Sequence, residues 1–477
     1  MSALTERDIE EDSDLPHEKC GVVGVYAPGE DVARVAFYGL FALQHRGQES
    51  AGIAVSDGQT IRLSKSMGLV TQAFKVDDLE RLSGDISIGH TRYSTSGSSV
   101  IENAQPIVVR GPHGELALGH NGNVVNATAL KQELVEWGCE ISSSSDTDVI
   151  THLLANAPGR DWGERVQYLF RRVQGAYSLV VMTNESLIAI RDPLGVRPLC
   201  VGKFKGGWVV ASESCALDHL GADMVREVDP GEAIIIDDQG MRTLCSAAKR
   251  QPAQCIFELI YFARPDSVVG GNLVYSSRQA MGAQLAREYP VDADVVIGIP
   301  DSATAAAVGY AQEAGIPYSE GLIKNRYVGR TFIEPDQRMR DLGVKLKFNP
   351  LPAVLSGKRV VVVDDSIVRG TTTPHVVNLV KWAGAAEVHL RVCAPAIKHP
   401  CHLGIDMASY NELIAANKSV EEIRKFVGAD SLGYLSVDGL LAAVSGDQGS
   451  YCTGCFTGNH PIPVQLRMDK FALEMPN

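Results

Sequence analysis

No stretch of the 477-residue chain approaches the roughly 18 consecutive apolar residues of a membrane-spanning helix, which excludes a helical membrane protein. An excess of positive charge is missing too. The formal net charge is −13, which argues against generic binding to nucleic acid or anionic lipid and leaves room only for a local basic pocket. The first nineteen residues carry seven acidic and two basic side chains and no apolar core. They are neither a secretory signal nor an acid-poor transit peptide, so the expected location is the cytoplasm. Ten cysteines are too few for a disulfide scaffold of this length and are expected to stay reduced. Repeats, low-complexity tracts and the G-x-x-x-x-G-K-[ST] string of P-loop nucleotidases are all absent.

The length allows two or three domains with full-sized cores, and the pattern divides in two. Up to about residue 245, strands come in pairs: "AYSLVVMTNESLIAIRD" reads as two apolar runs around a TNES turn, "PLCVGKFKGGWVVASES" as two more around KFKGG. Between them, "NATALKQELVEWG" predicts a helix capped by Asn126 with Leu130, Leu134 and Trp137 on one face. "SDTDVITHLLANA" predicts another, grouping Val149, Ile150, Leu153 and Leu154. Antiparallel sheets with helices on their outer faces are expected. The polar stretch Cys245–Gln254 reads as a linker. Beyond it strands alternate with helices, and the β-branched run Val360–Val363 is what a strand buried on both faces looks like. That half is expected to be α/β with a parallel sheet and ligands at the strand C-terminal ends.

"VVVVDDSIVRGTTT" (Val360–Thr373) ends a buried strand in two carboxylates, followed by Ser366, Arg369, Gly370 and three threonines leading into a helix. Backbone N–H groups at a helix start make a phosphate cradle, and adjacent carboxylates accept from ribose hydroxyls or hold a divalent metal. The string resembles the phosphoribosyl-diphosphate (PRPP) loop of type I phosphoribosyltransferases. The resemblance implies PRPP binding by Asp364, Asp365, Ser366, Arg369, Gly370, Thr371 and Thr372. In "VVIGIPDSATAAA", Ser302 is placed to join Asp364 and Asp365 at a magnesium–pyrophosphate site. The Lys- and Arg-rich segment Lys324–Pro350 is either a surface loop or a basic lid over the leaving group, with Lys324 a further PRPP contact.

In the first half, "CGVVGVYA", "LQHRGQESAGIA", "HTRYST", "HNGNV" and "SSDTD" each border an apolar run. Singly any of them could be a turn. Together and in this order they resemble class II (N-terminal nucleophile) glutamine amidotransferases. The resemblance implies that Cys20 attacks the glutamine amide, Arg92 clamps the α-carboxylate, Asp146 pairs with the ammonium, and Asn121 and Gly122 form the oxyanion hole. A free α-amino group titrates at about 7.7–8.0, so a terminal Cys20 carries its own general base. That reading makes residues 1–19 a propeptide to be removed.

One chain with both sets is similar to the amidophosphoribosyltransferase family, which implies an Ntn-hydrolase αββα glutaminase domain over residues 20–250 and a type I phosphoribosyltransferase domain over 251–477. Ammonia from glutamine would pass through an internal channel and displace pyrophosphate from PRPP, giving 5-phosphoribosylamine for purine synthesis. Purine nucleotide inhibitors and a homotetramer are further family expectations. Among the cysteines, Cys139, Cys200, Cys215, Cys245 and Cys393 read as buried fillers. Cys255, Cys401 and the C-x-x-C pair Cys452/Cys455 suit zinc or an iron–sulfur cluster, with His399, His402 and His460 nearby as zinc alternatives. The resemblance to the iron–sulfur branch of the family implies a structural [4Fe–4S] cluster and a propeptide. Two other readings stay open: a different class II amidotransferase, and a silent PRPP- or nucleotide-sensing regulator.

Overall fold

Small and β-branched residues place the Gly21–Tyr26 strand at the middle of a seven-stranded antiparallel sheet. The computed structural model describes residues 20–93, 98–325, 348–405, 407, 409–444, 450–462 and 473. Residues 1–19 and most of the basic segment, 326–347, lie outside that set, so the propeptide and lid readings fall there. In the first sheet Gly21–Tyr26 pairs with Gly207–Ala211 on one side and Ile86–Arg92 on the other. A second, six-stranded antiparallel sheet carries Gly114–Val124 and Gly175–Met182 as neighbours. Val22, Ala54, Ile88, Ala117, Val180 and Ala189 fill the space between the sheets. The Val32–Ala42 helix covers the outer face of the first sheet, and the Ala127–Glu136, Asp146–Ala155 and Trp162–Arg172 helices cover the second. This is the expected αββα sandwich.

Both expected hairpins form, Gly175–Met182 with Leu187–Arg191 and Cys200–Phe204 with Gly207–Ala211. Asn126 does not cap its helix through its side chain. Its amide instead donates to Arg172 O (2.9 Å) and accepts from Gln174 N–H (2.9 Å), stitching a loop to the helix start. Trp137 ends that helix exposed, while Leu130 and Leu134 are buried as expected. Cys200, Cys215 and Cys393 are buried; Cys139 and Cys245 are only half-buried.

The second half holds four parallel strands in the order Val295–Gly298, Arg359–Asp364, Glu387–Val392, Ser431–Tyr434. Val360–Val363 have no exposed surface, as a strand covered on both faces requires. One of the two cores flanking this sheet also contains Ala176, Leu194 and Val196 from the first half, so the two halves share a core. On the same side the Val274–Glu288 and Thr304–Ala314 helices press together at two glycines. A Cβ on Gly282 would stand 1.8 Å from Ala306 O, and one on Gly309 1.9 Å from Gln279 O. Gly309→Ala must therefore force the helices apart, and we expect a stability loss of about 1–3 kcal/mol, measured by urea unfolding.

Candidate active sites and their connection

Strand pairing brings the glutaminase residues together. Gly21 lies opposite Thr91, which sets Cys20 beside Arg92 and Tyr93. The Cys20 Sγ is 3.5 Å from Tyr93 O. Burial pushes its thiol up to about 11; the field of Arg92 opposes the rise, and Glu49 and Asp146 add to it. Arg92 donates to Ser98 O (3.1 Å) and lies 3.7 Å from Glu49. Asp146 opens a helix and accepts from Val124 N–H (3.0 Å). Ser94 and Thr95 of the "HTRYST" string lie outside the described residues.

Asn121 and Gly122 do not sit in a turn but inside the Gly114–Val124 strand, opposite Ser178 and Tyr177. Gly122 has φ +154°, and a Cβ there would stand 1.9 Å from Ala176 O, so only glycine fits. The Asn121 Nδ2 is buried and meets no acceptor among the described residues. A buried donor left unpaired costs about 1–3 kcal/mol, which a bound oxyanion would relieve. His90 and His120 lie close by, but burial lowers both imidazoles, His90 to about 3, and both bond to backbone carbonyls. They are neutral at physiological pH.

At the end of the Arg359–Asp364 strand, Asp364 accepts from Asp365 N–H (2.9 Å). Asp365 is buried and accepts from Ser366 Oγ (2.6 Å) and from Ser302 Oγ. Burial raises its carboxyl pKa, with the Ser302 and Ser366 hydrogen bonds and Arg278 opposing. Gly370 takes φ +76°, and Thr371 stands at the start of the Thr372–Trp382 helix. Arg369 is paired with Glu412 (2.7 Å) rather than turned to the loop alone. Lys324 bonds Asp301 (2.9 Å), next to Ser302. The loop is thus assembled with the Ser302 and Ser366 hydroxyls on the Asp365 carboxylate. The buried Asp365 carboxyl and the Ser302 hydroxyl fit a hard divalent cation.

Cys255 and Cys452 lie opposite each other in a short parallel bridge, and the Cys455 thiol feels the charge of Cys401, Cys452 and Cys255. Burial raises all four thiols, Cys452 to about 12. Backbone hydrogen bonds from Phe257 and Glu258 favour the Cys255 thiolate, those from Leu403 and Ile405 favour Cys401, and that from Gly454 favours Cys452. The Arg197 charge faces three of them. Such N–H donors and a buried cation fit thiolates bound to a metal centre. Among the described residues no three His, Cys, Asp or Glu are disposed to hold a single metal ion. His399, His402 and His460 line a separate cavity of about 280 Å³.

The two halves meet through buried charge. Arg46, 1% exposed, donates its Nε to Cys20 O (3.1 Å) and both Nη atoms to Glu258 (3.1 Å each). It also pairs with Glu213. Glu258 takes a second contact from Arg197 (3.5 Å), and Arg197 donates to Leu403 O. Glu258 starts a π-helical turn, Glu258–Phe262, that Arg278 holds by donating to Leu259 O (3.0 Å) and Ala263 O (2.8 Å).

This geometry agrees with what the chain resembles. A glutamine amidotransferase domain model matches residues 90–219, and a phosphoribosyl transferase domain model matches residues 278–408. The amidophosphoribosyltransferase of Synechococcus elongatus is 50% identical, over 97% of this chain and 95% of its own length. That of Archaeoglobus fulgidus is 51% identical over 93% and 98%. The chain belongs to the amidophosphoribosyltransferase family. Among solved structures, the glutamine PRPP amidotransferase from B. subtilis complexed with ADP and GMP superposes with a TM-score of 0.89 at 46% identity, covering 94% of this chain and 98% of that one. A structure described as the allosteric regulatory enzyme of purine biosynthesis gives the same score and identity.

Within this family frame, Arg46, Arg197, Glu213, Glu258 and Arg278 are the residues that motif reading missed. Arg46 stands in the quoted "LQHRGQES", but a buried arginine and a surface arginine look alike in sequence. For Glu213, burial raises the pKa while His45 and Arg46 lower it further, so the carboxyl ends well below its usual value. Its contribution is present above the unfolded-state value of about 4.3 and is lost as pH falls through the depressed folded value. Denaturant titrations at stepped pH should show stability falling below that point, with a shallower dependence in Glu213→Gln. Glu258→Ala, which strands Arg197 and leaves Arg46 with Glu213 alone, should cost about 3–5 kcal/mol in the same assay.

Proposed function

We propose that the chain releases ammonia from glutamine at Cys20 and delivers it to C1 of PRPP, displacing pyrophosphate to give 5-phosphoribosylamine. The observation that carries this reading is the buried Asn121 Nδ2, without an acceptor among the described residues, on the strand whose Val124 N–H holds Asp146, in a chain that also has an assembled phosphoribosyl loop. Arg92 binds the glutamine α-carboxylate and Asp146 its ammonium. The Cys20 sulfur attacks the amide carbon while Asn121 Nδ2 and Gly122 N–H hold the oxygen as it gains charge. The C–N bond then breaks, and ammonia leaves with the proton that came from the thiol. Water cleaves the thioester and releases glutamate.

A thiol raised to about 11 needs a base. The Cys20 α-amine supplies one only when the Lys19–Cys20 peptide bond has been cut, so we assign residues 1–19 as a propeptide. In the second half, with the boundary placed at residues 250/251, the Ser366–Thr372 loop and the helix start at Thr372 hold phosphate. Asp364, Asp365 and Ser302 would hold magnesium, which neutralises the departing pyrophosphate. Lys324 adds positive charge on the same side. Cys255, Cys401, Cys452 and Cys455 would hold a [4Fe–4S] cluster with a structural role. What supports a cluster is the resemblance to the iron–sulfur branch of the family, together with four thiols that lie within each other's field. Cytoplasmic location, purine nucleotide inhibition and a homotetramer complete the proposal.

Glutamine turnover by mature protein, assayed with and without PRPP, tests the reading; turnover indifferent to PRPP would sink it. Asn121→Ala should lose roughly 100- to 1000-fold in glutamine-dependent turnover. Cys20→Ala should lose it entirely yet still make phosphoribosylamine from PRPP and free ammonia. Intact mass of active enzyme should begin at Cys20. Elemental analysis of anaerobically purified protein should find iron and sulfide in equal amounts; one zinc and no iron would overturn the cluster.

A further inference from the structure

We infer that the loop Cys401–Ile405 of the second half positions the oxyanion-binding residues of the first, acting through Asn123 and Gly404. The inference rests on the reading of Asn121 and Gly122 as oxyanion donors. Three consecutive residues of the loop touch the glutaminase layer. His402 accepts at its carbonyl from Asn123 Nδ2 (3.1 Å), and Asn123 is the residue after Gly122. Leu403 accepts at its carbonyl from Arg197 Nη2. Gly404, at φ +95°, lies flat against the Gly122 carbonyl: a Cβ on it would stand 3.1 Å from Gly122 C, 3.2 Å from Gly122 O and 3.2 Å from Arg197 Nη2.

Gly122 needs such a support. It has no Cβ and sits at φ +154°, a conformation that its own side chain does nothing to fix. Ala176 O leaves no room for a Cβ on it, Gly404 packs against its carbonyl, and the Asn123 amide ties the next residue to the loop, so the second half holds the Gly122–Asn123 peptide plane. Strand pairing in the first half holds the Asn121–Gly122 peptide, and the loop holds the Gly122–Asn123 peptide. The φ of Gly122 that relates its N–H to its carbonyl, and with it the seat of the oxyanion, is therefore set from both domains. Asn123 and Gly404 are positioning residues: neither reaches the reacting atoms. A donor displaced by about 1 Å can cost on the order of 100-fold in rate. Arg92 stands on a different strand, Ile86–Arg92, so the clamp on the glutamine α-carboxylate is not carried along by the same shift.

The test is a split between kcat and KM in processed, metal-replete enzyme. Gly404→Ala is expected to lower glutamine-dependent kcat by about 10- to 100-fold. The KM for glutamine and the rate of phosphoribosylamine formation from PRPP and free ammonia should stay at wild-type values. Asn123→Ala, which removes one hydrogen bond and adds no bulk, should shift kcat in the same direction by less, and it decides the matter if Gly404→Ala does not fold. Wild-type glutamine kcat in the folded variants overturns the inference, as does a parallel fall of the glutamine and ammonia activities. Asn121→Ala run alongside separates the two levels. If it keeps full turnover, the oxyanion reading itself fails; if it collapses turnover while Asn123→Ala and Gly404→Ala do not, only the positioning role fails.

Discussion

Arg46 and Glu258 make an ion pair with almost no water on either partner, and the rest of the molecule is arranged around it. Taking two such charges out of water costs several kcal/mol per ion, which their attraction recovers only when the geometry is good and the remaining hydrogen bonds are made. Both conditions are met here. Arg46 spends its other donors on Glu213 and the Cys20 carbonyl, and Glu258 takes a second arginine in Arg197. Burial opposes the Arg46 charge, but Glu258 and Glu213 outweigh it. Two arginines and two glutamates balance in sign. Such a network adds little net stability compared with apolar packing, yet it tolerates only one docking of the halves, since any other leaves a charge stranded.

That single docking matters for the chemistry. The first half has to create a good nucleophile in a site that disfavours the thiolate, and the second has to receive a small neutral amine before water protonates it. Burial raises the Cys20 thiol, the same exclusion of water that keeps ammonia reactive. In the proposed mechanism local groups, rather than a histidine, resolve the conflict. His90 and His120 are buried neutral and serve as packing and hydrogen-bond pieces, while the Asn121 amide, without an acceptor among the described residues, is the proposed seat of charge that forms only during reaction.

Much of this was legible from residue order. The TNES and KFKGG hairpins and the doubly covered Val360–Val363 strand follow from periodicity, and the set Cys20, Arg92, Asn121, Gly122 and Asp146 was named by family resemblance. What escaped has a common physical cause: it depends on partners far apart in sequence. Asn126 looked like a helix cap, but its amide found Arg172 and Gln174 instead. Trp137 fell on the apolar side of a helical wheel, yet the helix ends there and the ring is exposed. Asn121-Gly122 carried the signal of a turn and lies mid-strand, because Tyr177 and Ser178 run alongside. Arg197 and Glu258 showed no pattern at all, and Arg46, though inside "LQHRGQESAGIA", gave no sign of burial, since burial of a charged residue is decided by the fold around it.

The apolar core that takes Ala176, Leu194 and Val196 from one half and Cys255, Ile256 and Phe257 from the other bears on how such an enzyme can be rebuilt. The two catalytic modules look separable on a sequence map, and the linker before residue 254 invites cutting. An excised half would carry an apolar wound and unneutralised charge on the same surface, a pattern that drives aggregation rather than folding. Recombining halves from different relatives meets the same obstacle unless the apolar seam and the paired charges travel together. For recombination, the heritable unit is therefore the joined pair, and the boundary between its domains is a poor place to cross over.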